Sequence, residues 1–245
     1  MEQRKPIFDN MPLRLRMTRA SSCAYIEGNI EQRLAVDLAD HPHAHDQLAA
    51  AGFRRVENWV YKPVCQTCQA CMPIRIDCVN FRAGRNLSRI FKSNQDLTRT
   101  ISTKQVNQDH YILFQEYLTH RHEDGQMSAM NFQEFSNMIH NSPIETFLVE
   151  YRDITNELVA CIMVDVQKDG LSAVYSFFDP LLTNRSLGTF MIMDLIDMVK
   201  ELQKSYLYLG FYIAQSRKMP YKARFSPAEI FHHGQWQALS LTSEL

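Results

Sequence analysis

From residue 145 to residue 212 the chain alternates between strand-forming and helix-forming sequence in one fixed order, and that order leaves few folds open. Three β-rich runs, at 145–153, 157–168 and 170–179, are separated only by turn residues and read as a meander. A helix over 186–204 follows, with Leu187, Met191, Leu195, Val199 and Leu202 at helical spacing as its buried stripe. A further strand, 205–212, comes after it. The pattern predicts an α+β fold with a mixed, mostly antiparallel sheet and flanking helices. Upstream, helices are expected at 107–122, where Tyr111, Phe114, Tyr117 and Leu118 share one face, and near 131–140. A helix is also expected near 31–40, with strands at 12–19, 56–61 and 74–78 and a last one at 229–239. The chain thereby divides into a cysteine-bearing region, 1–105, and a larger domain, 106–245.

Strand 205–212 alternates strictly, so Tyr206, Tyr208, Gly210 and Tyr212 are expected on one face and Leu207, Leu209 and Phe211 on the other. One face is core. The other is three phenols around a glycine, where amphipathic packing or the close approach of a ligand would serve equally.

The cysteines constrain the first half. Cys65, Cys68 and Cys71 are three residues apart, and Cys23 lies upstream in a polar stretch. A thiolate triplet at this spacing can wrap a soft metal or a cluster; in an oxidising compartment it would be a disulfide framework. The N-terminal residues have no apolar segment followed by a small-residue cleavage site, so the expected location is the cytoplasm, with free thiols or metal ligands. No apolar run approaches the roughly 20 residues of a membrane span. With 45% hydrophobic and 22% charged residues, the chain is expected to fold rather than stay disordered.

A net charge of −1 hides an asymmetry. Residues 73–105 hold Arg75, Arg82, Arg85, Arg89, Lys92, Arg99 and Lys104 against Asp77 and Asp96. Residues 211–225 hold Arg217, Lys218, Lys222 and Arg224 with no carboxylate, whereas 106–170 are strongly acidic. Two basic segments in a near-neutral chain suit a localised anionic ligand or an unevenly charged solvated surface.

A meander, a helix entered through Asn184–Thr189 and a returning strand match the core of the N-acyltransferase (GNAT-like) fold. In coenzyme A-dependent members, an Arg/Gln-x-x-Gly-x-Gly/Ala turn presents backbone N–H groups at a helix N-terminus to a pyrophosphate. Arg185 and Gly188 are in place, but the second small position is Phe190, whose ring would crowd that pyrophosphate. Coenzyme A is therefore not expected.

Beyond this fold pattern, the chain resembles the bacterial aspartate/glutamate leucyltransferases, relatives of the eukaryotic arginyl-tRNA–protein transferases. The resemblance is carried by Ser22-Cys23-Ala24-Tyr25, the run from Tyr61 to Arg75, Tyr175-Ser176-Phe177-Phe178-Asp179-Pro180, Arg185 to Phe190, and the stretch from Leu209 through Ser216 to Phe225. These pieces stand in the family's order along nearly the whole length. The turn Tyr25-Ile26-Glu27-Gly28 and the segment Glu57-Asn58-Trp59 depart from the pattern.

The resemblance implies transfer of leucine from leucyl-tRNA to the α-amine of proteins beginning with Asp or Glu, marking them for degradation, with no cofactor required. Tyr212, Tyr208, Ser176 and Asp179 are then the expected hydrogen-bond donors and proton relay. Arg75, Arg217, Lys218, Tyr221, Lys222 and Arg224 are expected to hold the acidic N-terminus, with Arg185, Gly188 and Gly210 also in the substrate site. Arg82, Arg85, Arg89 and Lys92 are assigned to the tRNA acceptor phosphates. In the eukaryotic relatives the corresponding cysteines are associated with metal or iron–sulfur binding, so Cys23, Cys65, Cys68 and Cys71 are expected either to hold zinc or an iron–sulfur cluster or to remain reduced structural thiols. Rival functions are an arginyl-tRNA donor, a coenzyme A-dependent N-acetyltransferase, and a non-catalytic RNA- or N-degron-binding module; leucine over arginine rests on family branch and chain length.

Overall fold

The computed structural model describes residues 12–103, 105–121, 127–216 and 219–240. Its first part holds β1 (Arg16–Met17), β2 (Ser21–Ser22), β3 (Ile30–Glu31), β4 (Arg33–Asp37), helix α1 (His45–Ala50), β5 (Arg54–Val56), β6 (Trp59–Pro63) and β7 (Met72–Asp77). Helix α2 (Arg85–Lys92), β8 (Thr98–Ser102), α3 (Gln108–Arg121) and α4 (Phe132–His140) follow. The meander is β9 (Thr146–Arg152), β10 (Leu158–Val166) and β11 (Gly170–Phe178). Then come α5 (Leu187–Glu201), β12 (Tyr206–Tyr212), a 3-10 turn (Pro220–Arg224), β13 (Ala228–His232) and β14 (Gln235–Ala238).

Eight strands form one sheet in the order β14-β13-β7-β12-β11-β10-β9-β8. Only β11 and β12 run parallel among these pairs, because α5 carries the chain across between them. Period-two alternation sorts the core. Ala160, Ile162 and Val164 of β10 face a core shared with α5 (Met191, Leu195, Val199), while Cys161 and Met163 face another shared with α3 and α4 (Phe114, Leu118, Phe135). Each fully buried side chain of this size contributes about 1.5–3 kcal/mol. Asn131 and Glu134 close a reciprocal capping box that starts α4. No described helix is long and apolar enough to cross a membrane.

The large sheet does not stop at residue 105, since β7 and β8 precede that point and both belong to it. β1, β4, β6 and β5 form a second, four-stranded sheet over a small core of Val36, Leu38, Leu48 and Val60. A bidentate pair joins the two sheets: Arg55 of β5 donates to both carboxylate oxygens of Asp165 on β10 at 2.5 and 2.6 Å, with the two side chains 2% and 1% exposed. Thr146 adds a hydroxyl donor to Asp165 at 2.8 Å.

Several expectations need correction. The helix near 31–40 is instead β3 and β4, because Ala35 and Val36 pair with Tyr61 and Val60 of β6 and a partner strand outweighs local helix propensity. The single last strand is a hairpin, turned by His233 and Gly234 with φ of 49° and 82°. Leu202 does not belong to the buried stripe; it lies beyond the last turn of α5 and is 49% exposed.

Pairing between β11 and β12 spans only Gly170–Ser172 against Tyr206–Tyr208. At its start Gly170 lies so close to the Tyr206 backbone that an added Cβ would overlap the Tyr206 carbonyl. Gly170→Ala is expected to push the two strands apart and destabilise by about 1–3 kcal/mol, as overpacking does, read as a lower urea midpoint at unchanged slope.

Candidate active site

Past Ser172 and Tyr208 the two parallel strands diverge, and their backbone groups need other partners. Two cations supply them. Arg54 Nη2 donates to the Val174 carbonyl at 3.0 Å. Lys222 Nζ donates to the carbonyls of Leu209 at 2.8 Å and Phe211 at 2.6 Å. The opened wedge is a cavity of about 730 Å³ whose walls include Arg54, Ser176, Asp179, Gly188, Tyr221 and Lys222. Its position, at the divergence of two strands beside a helix start, is a usual place for a ligand.

Lys222 sits in the 3-10 turn Pro220–Arg224 and is only 6% exposed. Burial, and secondarily the charge of Arg54, pulls its ammonium down to about 7. A lysine poised there can take a proton at neutral pH and return it. Ser176 and Asp179 line the same cavity from β11 and the turn after it; Asp179 Oδ1 also accepts from the Leu181 N–H at 2.8 Å. Gly188, in the first turn of α5, keeps its Cα against Phe178, which an added Cβ would meet at 3.3 Å.

The three-phenol face is corrected by a bulge. Gly210 has φ of 73°, and the register of β12 on β7 slips between Tyr208 and Phe211. One extra residue inverts the alternation. Tyr212 therefore turns into the α5-side core with Leu207 and Leu209, 8% exposed, and lines neither this cavity nor the one beside the cysteines. Tyr208 stays on the opposite face, away from the wedge. It donates to Asp169 at 2.9 Å and accepts from Arg75 at 3.1 Å, and burial followed by Asp169 holds its phenol well above the ordinary range.

Arg75 is occupied as well: it pairs with Glu229 at 2.7 Å and stacks on Tyr206 and Trp236, its guanidinium 3.5 and 4.3 Å from the ring centres. Arg185 is held outside the wedge by a bidentate pair with Asp96 at 2.9 and 2.7 Å. Phe190 packs between Phe91 and Tyr151. Arg224 is exposed, and Arg217 and Lys218 lie outside the described residues. Arg82, Arg85, Arg89 and Lys92 are all exposed on or beside α2. Asn94, just past that helix, donates to the carbonyl of Arg185 at 2.8 Å and so ties the basic helix to the entrance of α5.

Cys23, Cys65, Cys68 and Cys71 are free thiols around another cavity, of about 390 Å³. Burial first, then the neighbouring Cys23, Cys65 and Cys68, pushes Cys71 up to about 12. The donors are chemically suited to zinc or a cluster. Yet among the described residues no three His, Cys, Asp or Glu side chains converge in a way that could hold a metal ion. The four thiols share a cavity without forming a closed donor set.

Sequence reading missed Arg54. The available signal was the doubled arginine Arg54-Arg55 opening a strand, since neighbours in a strand face opposite ways. Arg55 meets Asp165, while Arg54 reaches the wedge.

Two family models cover most of the chain: arginine-tRNA-protein transferase, C terminus, over residues 109–232, and its N terminus over residues 21–89. A protein of Granulibacter bethesdensis named aspartate/glutamate leucyltransferase is 40% identical, over 98% of this chain and 90% of its own length. One of the same name from Paramagnetospirillum magneticum is 41% identical, over 88% of this chain and 89% of its own. Among solved structures, L-PGS from Bacillus licheniformis superimposes with a TM-score of 0.53 at 13% identity, over 83% of this chain and 64% of that one. That likeness shows a GNAT-like fold. With its cavity at the splayed strands, its fold and these relatives, the chain belongs to the arginine-tRNA-protein transferase family of aminoacyltransferases.

Proposed function

We propose that the chain moves leucine from leucyl-tRNA onto the α-amine of proteins beginning with Asp or Glu. The observation that carries the chemistry is Lys222, buried at the wedge and held near neutrality by its surroundings. An N-terminal ammonium titrates near about 8 and must lose a proton before it can attack. Lys222 takes that proton. The freed nitrogen forms a bond to the leucyl carbonyl carbon, the ester bond to the tRNA ribose breaks, and a proton from the attacking nitrogen goes to the departing ribose oxygen. Lys222 then releases its proton to solvent. The Ser176 hydroxyl is the wedge's candidate donor for the developing oxyanion. No cofactor enters this sequence, and no step runs through the cysteines.

The exposed basic face of α2 suits the acceptor-stem phosphates, and it lies one hydrogen bond from the α5 entrance that lines the wedge. Reversing Arg85 and Arg89 together to glutamate is expected to raise the KM for leucyl-tRNA at least tenfold and to flatten its salt dependence, with the peptide KM little changed. Movement of the peptide constant alone would refute that placement.

The function is tested with purified protein, radiolabelled leucyl-tRNA and arginyl-tRNA in parallel, and peptides beginning Asp, Glu, Arg and Ala. Leucine transfer to the Asp and Glu peptides alone is the expected result. Arginine transfer would overturn the donor, and tRNA binding with no transfer would favour a binding module.

A further inference from the structure

Arg54 is a positive charge without a visible counter-charge. Among the described residues, Arg33, Arg55, Arg75, Arg99, Arg152 and Arg185 each hold a carboxylate; Arg54 has none within ion-pair distance, and the other described arginines without one, such as Arg85, Arg89 and Arg121, are exposed whereas Arg54 is half-buried. Its one protein hydrogen bond among those residues goes to the Val174 carbonyl. A guanidinium has five N–H donors in a planar fork, so most of its capacity remains for something else.

The surroundings keep that fork in place. Gly210, at the bulge, lets the guanidinium lie directly against the backbone; a Cβ there would come within 3.1 Å of Nε and 3.2 Å of Cζ. The residue therefore sits between β12 and the Val174 carbonyl of β11, at the narrow end of the wedge. Val174 lies two residues beyond the last paired position, Ser172, and Asp179 follows the open end of the strand. Arg54 thus puts a positive charge at the floor of the wedge, whereas the open end is lined by both Asp179 and the exposed Arg121, which lies over Phe178. Lys222 lines the same cavity, with Arg54 against Gly210 and Lys222 bonded to the carbonyls of the residues on either side of it, Leu209 and Phe211.

We infer that Arg54 is the residue that reads the acidic side chain of the acceptor protein. This rests on the transfer reaction proposed above. A carboxylate matches the guanidinium fork in shape as well as charge. In an N-terminal Asp or Glu, that carboxylate is only two or three carbons from the α-carbon. A side chain seated on Arg54 therefore leaves its α-ammonium beside Lys222, where the proton must go. An Asn or Gln side chain in the same place would cover this half-buried cation without compensating its charge, which is a basis for rejection.

The test compares kcat/KM for peptides beginning Asp and Asn, and Glu and Gln, with the full chain and leucyl-tRNA. Arg54→Gln is expected to lower the Asp-over-Asn and Glu-over-Gln ratios at least tenfold. Each ratio is taken within one preparation, so a partly unfolded sample does not alter it. Arg54→Lys, which keeps the charge but not the fork, is expected to retain at least a third of the preference. Unchanged ratios in Arg54→Gln, or equal losses on all four peptides, would overturn the inference, as would Arg54→Lys behaving like the glutamine variant. A wild-type protein that transfers leucine without preferring the acidic peptides would fail earlier, at the proposed acceptor, and is distinguished by being seen before any variant is made.

Discussion

Lys222→Arg is expected to lower leucine transfer at pH 7 by about 10²-fold or more, the lower end of what a positioned proton acceptor contributes. Arginine can still donate to the Leu209 and Phe211 carbonyls that lysine now satisfies, but it cannot give up its proton near neutrality. The deficit should shrink as pH rises past about 8, because the acceptor amine is then already free. A deficit that stays constant from pH 6.5 to 9.5 would reduce Lys222 to a structural clamp. Lys222→Met separates the same two roles through stability. It leaves two carbonyls without donors, at about 1–3 kcal/mol each. In the wild type the folded-state value near 7 lies below the ordinary lysine value of 10.5. Across that window the unfolded chain binds the extra proton, so the Lys222 contribution grows as pH rises from about 7 toward 10.5 and is smallest below 7. The methionine variant should lack that slope.

Asp165→Ala is expected to destabilise by about 3–5 kcal/mol, because it leaves Arg55 as a buried charge without its counter-charge, bonded among the described residues only to the Glu57 carbonyl. At this chain length that corresponds to a fall in Tm of roughly 6–20 °C. Chemical denaturation of the single variant and of Arg55→Met/Asp165→Leu decides the matter. The double variant should regain most of the loss, since a buried pair exchanged for apolar side chains is often close to neutral. A single-variant cost below about 1 kcal/mol would mean that the small sheet is not anchored through this pair.

Much of the fold is legible in the sequence because it is local. The meander, α3, α4 and α5 carry their own periodicity, and the Asn131–Glu134 cap is written three residues apart. Lys222 could be selected from a basic segment, and Ser176, Asp179 and Gly188 from their motifs. What could not be read is set by distant partners. β4 is a strand because β6 lies beside it. The tyrosine alternation fails because Gly210 adopts φ of 73° and moves Tyr212 to the opposite face. Arg75 looked available until Glu229, 154 residues away, was seen to hold it. Arg54 was invisible for the converse reason: nothing near it in the sequence distinguishes an arginine that has a carboxylate from one that lacks it.

β7 has a consequence for how the chain is made. It emerges from the ribosome early, yet both strands that flank it, β12 and β13, are encoded far downstream, with Asp77 pairing to Tyr206 and Ile76 to Ala228. At about 5–20 residues per second, the nascent strand waits on the order of ten seconds for its first neighbour. During that wait a mostly apolar segment, Met72 to Ile76 with Arg75 within it, has no sheet to enter, and its backbone donors and acceptors are open to other chains. β7 is therefore enclosed on both sides only once β12 and β13 have been made.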